Sequence, residues 1–154
     1  MLLTDLISQN DVFYFSNTTS KKRLFQSISN HFSITIGADS AYIFSCFQER
    51  EKLGHTGMGK GVAIPHARVD NINKIKGMFI RLEKPVEFDS LDKQPVDIIF
   101  ALVAPKKNST EHLKALARVS RLLKDVNFCE KLRSTQDSTA LFSILIEELE
   151  YKAA

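Results

Sequence analysis

Val96-Asp97-Ile98-Ile99-Phe100-Ala101-Leu102-Val103-Ala104 is an almost unbroken apolar run, with Asp97 its single charge and Pro105 closing it. A stretch of that length, rich in Val and Ile, reads as a strand buried on both faces and central in a sheet. Upstream, residues 75–82 alternate Met78, Ile80 and Leu82 in the manner of a half-buried strand. Downstream, Ser109 or Thr110 is expected to cap a helix whose inward stripe is Leu113, Leu116, Val119, Leu122 and Leu123. A last helix follows Asp137, with Leu141, Ile144, Leu145 and Leu149 facing the core. Toward the N-terminus, Thr19 or Ser20 caps a helix bearing Leu24, Phe25, Ile28 and Phe32 and ending before Gly37. Asp39-Ser40 then starts a second helix, with Ile43, Cys46 and Phe47 inward, Arg50 continuing that stripe and Gly54 just past its end. Strands interleaved with helices predict an α/β architecture in which helices cover the sheet.

At 154 residues, 44% hydrophobic and 25% charged, the chain has the composition of an ordinary globular domain rather than of a disordered, collagenous or coiled-coil protein. No linker, repeat or composition shift divides it, so residues 1–154 are expected to form one domain, with 1–17 the least patterned part. A net charge of +3 argues against a nucleic-acid partner, and the basic clusters at 21–23 and 106–107 read as solvated surface. Cys46 and Cys129 form no C-x-x-C pair, which fits a reducing compartment. Asp5 interrupts any signal-peptide core, and no apolar run approaches the roughly 20 residues that span a bilayer. The chain is therefore expected to be cytoplasmic, with no membrane insertion.

Candidate chemistry concentrates in residues 54–68, which hold four of the six glycines and lead into a short strand, Val62-Ala63-Ile64, stopped by Pro65. His66 follows directly, where the chain would hold its ring rigidly. A neutral imidazole keeps one lone pair able to attack phosphorus when the other nitrogen is held by an acceptor. The residues alone leave two readings open, a nucleophile or a structural loop histidine. Thr56, Gly57, Gly59 and Gly61 offer backbone N–H groups that could converge on phosphate oxygens, or merely serve tight turns. Gly54 to Lys60 matches most of a P-loop, but Gly61 stands where the magnesium-binding Ser or Thr is needed. His112 falls in a helix's first turn, which favours an anion beside it or a plain surface position. Arg50, on an otherwise apolar face at a helix end, is costly to bury without an anionic partner and its fork fits phosphate; the other readings are a snorkelling arginine or a pair with Glu49 or Glu51. His31 and His55 are assigned to surface or packing, and the histidine spacing fits no metal site.

Taken in order, Arg50-Glu51, Thr56-Gly57-Met58-Gly59 and Gly61-Val62-Ala63-Ile64-Pro65-His66 resemble the phosphorylation-site signature of the fructose/mannitol-type enzyme IIA family of the bacterial phosphotransferase system. The resemblance continues through Phe88-Asp89, Asp92 and Pro95-Val96-Asp97 to His112-Leu113 and Leu116-Ala117. It implies a three-layer α/β/α domain with a mixed sheet. It also implies that His66 accepts phosphate from an HPr-like phosphocarrier, that Arg50 and His112 complete the active site, and that no cofactor or metal takes part. Ser20-Lys21-Lys22 and the absence of a fused transporter domain look most like the nitrogen-regulatory branch, whose phosphorylation state controls partner proteins. A sugar-specific IIA component passing phosphate to a IIB domain is the alternative, followed by an unphosphorylated binding module of the same fold. The chain departs from the family in His55, where Ser is usual, and in Ala67, where Gly often follows the histidine.

Overall fold

The apolar run becomes β6 (Val96–Pro105), and its side chains explain the layering. Ile98, Phe100, Leu102 and Ala104 enter one hydrophobic cluster, while Ile99, Ala101 and Val103 enter another on the opposite face. The computed structural model describes residues 3–107 and 109–153. On the first face lie α3 (Ser109–Leu123), α4 (Val126–Arg133) and α5 (Ser138–Ala153), and on the second α1 (Lys21–Ile36) and α2 (Ser40–Leu53). The result is a three-layer α/β/α sandwich.

The remaining strands are β1 (Val12–Phe15), β2 (Gly57–Gly59), β3 (Val62–Ala63), β4 (His66–Val69) and β5 (Lys76–Val86). They form one mixed sheet in the order β1-β5-β6-β3-β2, with β4 also paired to β6. β5 runs antiparallel to β6, whereas β3 and β4 run parallel to it and β1 runs parallel to β5.

Both early helices start as their sequences dictate. Ser20 accepts from the Arg23 N–H, Asp39 accepts from the Tyr42 N–H, and Gly37 closes α1 in the left-handed conformation. Several expectations need correction. β5 is buried on both faces, since Phe79 packs toward α3 to α5 while Met78, Ile80 and Leu82 pack toward α1 and α2. Leu113 is 62% exposed, because the inward stripe of α3 begins at His112 and continues through Ala115, Val119 and Leu122. Ser109 and Thr110 lie inside α3 rather than before it, and the position preceding it falls outside the described residues, as does the side chain of Leu149. The unpatterned N-terminal stretch forms two 3-10 turns, Leu3–Asp5 and Gln9–Asp11, and then β1. It is tied to α1 by His31 Nε2 against Asp11 Oδ1 at 2.7 Å.

Candidate functional site

β4 opens at His66, and the alternation of an extended strand turns His66 and Arg68 to one face while Ala67 and Val69 bury on the other. α2 and α3, on opposite sides of the sheet, each bring a side chain to this strand: Arg50 to His66 and His112 to Arg68. The rings of His66 and His112 meet edge to face, with centroids 5.3 Å apart and planes inclined by 70°. A pocket of about 280 Å³ opens here, lined by Arg50, His55, Thr56, Gly57, His66 and Leu116 among others.

The partners of His66 fix its proton. Nδ1 lies 2.9 Å from the Ile64 carbonyl, which can only accept, so Nδ1 carries the hydrogen. Nε2 accepts from Arg50 Nε at 3.2 Å, so the lone pair resides on Nε2. Burial first, then the positive charges of Arg50 and Arg68, hold this imidazole below its ordinary range, against the opposing pull of the Ile64 carbonyl and Glu51. Arg50 Nη1 also donates to the Gly54 carbonyl at 2.8 Å, which holds the guanidinium at the end of α2.

His112 is 5% exposed and has the complementary tautomer. Its Nδ1 accepts from Arg68 Nε at 3.3 Å, and its buried Nε2 has no hydrogen-bond partner among the described residues. Burial, then the charges of His66, Arg68 and Arg50, push its pKa down to about 4. The ring is therefore neutral at physiological pH and carries an N–H donor without a partner among the described residues, in edge-to-face contact with the His66 ring.

Of the glycine-rich segment, the structure brings only part to the pocket. Thr56 and Gly57 line it, but the Thr56 N–H and hydroxyl both donate to Glu51, at 2.9 and 2.7 Å. Gly59 and Gly61 sit in the β2–β3 hairpin, where a Cβ on Gly59 would meet Asp92 and one on Gly61 would meet Arg133 and Asp97. The Lys60 N–H is taken by Asp92 at 2.8 Å. No helix follows Lys60, so the partial P-loop match has no structural counterpart.

The contacts of Glu51 and the whole of Arg68 escaped the sequence reading. Glu51 binds Thr56 and also Lys21 Nζ at 3.0 Å, so Lys21 is an anchored residue rather than solvated surface. Arg68 was hidden because β4 was not expected; once the strand is drawn, the two-residue spacing from His66 places it on the same face as His66. His55 is half exposed, 3.9 Å from Glu51, on the pocket rim. Among the described residues no three His, Cys, Asp or Glu side chains converge as metal ligands, and no helix is long and apolar enough to cross a membrane.

Residues 5–148 match the family described as phosphoenolpyruvate-dependent sugar phosphotransferase system, EIIA 2. The chain belongs to this EIIA type 2 family. Within that family it is similar to a nitrogen regulatory protein of Bradyrhizobium diazoefficiens, at 41% identity over 145 residues covering 94% of this chain and 95% of the relative. The crystal structure of nitrogen regulatory protein IIA-Ntr from Neisseria meningitidis superposes with a TM-score of 0.86 at 33% identity, covering 93% of this chain and 98% of the other. IIA mannitol from Escherichia coli, at 20% identity, shares the fold with a TM-score of 0.75, covering 90% and 98%. An EIIA type 2 chain is a component of a phosphotransferase system, and the nitrogen regulatory names of the relatives match the branch expected from the sequence.

Proposed function

We propose that this chain is a phosphoryl-carrier regulator that accepts phosphate on His66 Nε2 from an HPr-like phosphocarrier. The observation that carries the reading is the proton arrangement of the histidine pair: a lone pair on His66 Nε2 held by the bond from Nδ1 to Ile64, next to the unsatisfied N–H of His112. In the step, the P–N bond of the donor phosphohistidine breaks as the Nε2–P bond forms, and the departing imidazole keeps the electron pair. The Nδ1 proton stays on His66, where the Ile64 carbonyl stabilises the positive charge the ring acquires. Arg50 gives up its bond to Nε2 and turns its N–H groups to the phosphoryl oxygens, a geometry that suits a guanidinium fork. His112 Nε2–H supplies a further donor, while Thr56 and Gly57 form the rim on the loop side. The protein thus supplies positioning and charge, which is most of what phosphoryl transfer requires.

A phosphoryl group adds roughly −1.5 to −2 charges beside His66, where the positive charges of Arg50 and Arg68 act on the ring. That reversal is the basis on which partner proteins would distinguish the two states. The 41% identity to a nitrogen regulatory protein supports this regulatory branch over a sugar-specific component serving a IIB domain. A carrier charged from phosphoenolpyruvate works in the cytoplasm, consistent with its two free cysteines.

Incubation with phosphoenolpyruvate, enzyme I and an HPr-like carrier, followed by intact mass, tests the assignment. One acid-labile, base-stable phosphoryl group is expected, and His66→Ala should eliminate it. Label that survives in His66→Ala would refute it, and transfer onward to a IIB domain would move the chain to the sugar-specific branch.

A further inference from the structure

A cation beside the histidine pair has no part in the transfer step described above. Arg68 stands two residues beyond His66 on β4, on the same face, and is an exposed residue. Its Nε–H points to His112 Nδ1 at 3.3 Å. An arginine can only donate, so Nδ1 must accept, and the single hydrogen of the neutral ring is left on Nε2. That nitrogen is buried without a protein partner, in a residue 5% exposed. A buried donor left unsatisfied is costly, and native proteins keep such groups where a ligand will meet them. We propose that Arg68 is a positioning residue for phosphoryl transfer, acting through His112 by holding its ring in the orientation and tautomer that present Nε2–H to the incoming phosphoryl group.

The inference rests on the reading of His66 as phosphoryl acceptor, but its own content concerns His112. A protonated His112 would carry hydrogens on both nitrogens and set Nδ1–H against the Arg68 Nε–H. Arg68 therefore also opposes protonation, together with the other charged or titratable groups that face the ring, His66 on the same strand and Arg50 from α2. The low pKa of His112 agrees with that arrangement.

The test uses the full chain labelled with nitrogen-15. Two-bond proton–nitrogen correlations of the His112 ring at neutral pH should show a bare Nδ1 and a protonated Nε2 in the wild type, with His112→Gln identifying the signals. Arg68→Met keeps the stem and removes the donor. In it the proton should distribute between both nitrogens, and transfer from the phosphorylated carrier to His66 should slow about 3- to 10-fold. Arg68→Lys, which retains a donor, should recover the wild-type ring spectrum in large part. An unchanged His112 spectrum in Arg68→Met overturns the proposal, as does a wild-type proton on Nδ1. Slowed transfer with an unchanged ring would mean that Arg68 meets the phosphoryl group directly. If the wild type takes no phosphate on His66, the functional reading falls, and the ring spectra still decide the role of Arg68.

Discussion

Lowering the pH from about 7 to about 5 should destabilise the folded chain through His112, by an amount its surroundings fix. An imidazole in the unfolded chain titrates near 6.5, whereas the buried ring, flanked by Arg68, His66 and Arg50, titrates at about 4. Between those values the unfolded chain binds a proton that the folded chain refuses, so stability falls as pH falls. Above 6.5 both states are neutral and the effect vanishes; below about 4 both are protonated and it levels off. Of the two-unit drop only about 1.5 units lie below 6.5, and at about 1.4 kcal/mol per unit they cost about 2 kcal/mol, or about 1–2 after solvent screening. His66, whose pKa is also lowered, acts with the same sign. Urea unfolding at a series of pH values, on the wild type and on His112→Gln, isolates the contribution, because glutamine cannot titrate yet keeps a donor. The wild type should lose about 1–2 kcal/mol more than His112→Gln over this range. Parallel stability curves for the two would show that His112 is not held neutral by the fold, and the account of its tautomer would fail with it.

Arg50→Lys keeps the charge at the end of α2 but removes the Nε–H that meets His66 and the fork that would meet phosphate; transfer should slow about 10- to 100-fold with unfolding midpoints unchanged, measured by rapid quench. Wild-type rates would place Arg50 outside the chemistry. Gly61→Ala forces a side chain onto a backbone with φ of 80° and puts its Cβ 2.7 Å from Arg133 Nη2 and 3.0 Å from Asp97 Oδ1. It should cost about 1–3 kcal/mol in denaturant unfolding. Gly54→Ala, where no atom lies within 4 Å of the new Cβ, should change stability by less than about 0.5 kcal/mol.

The parts of the fold legible in the sequence are those where one physical rule dominates. β6 was evident because burial on both faces demands a continuous apolar run, and α1 and α2 because Ser20 and Asp39 cap clear stripes. β2 was invisible because Gly57-Met58-Gly59 has no strand propensity; its pairing with β3 and the packing of Ser90 against Gly57 impose the extended form. β4 is not evident because Pro65 closes the short apolar run Val62-Ala63-Ile64, yet its register against β6, His66 opposite Leu102, continues the sheet beyond the proline. α4 was missed because it is eight residues long, held by the Asp125 cap and by Arg133, which forks onto Asp97 with both contacts at 2.9 Å. In the site, His66, Arg50 and His112 were readable from motif and context and do come together. Their tautomers, and the parts played by Glu51 and Arg68, depend on which atoms face each other across three elements, and spacing carries no such information.

The placement of β1 at the sheet edge bears on the order in which this chain assembles. Its register pairs Val12 with Phe79 and Phe15 with Leu82, so β1 finds its partner only after α1, α2 and the β2–β3 hairpin have been made. β3 and β4 likewise wait for residues 98–105. Closing such long loops must precede the reward of pairing, which slows folding relative to helical proteins of equal size. During synthesis the segment at 12–15 therefore remains an unpaired apolar strand, Val-Phe-Tyr-Phe, until β5 and β6 have joined, the point at which a nascent chain is most open to chaperone capture or mispairing.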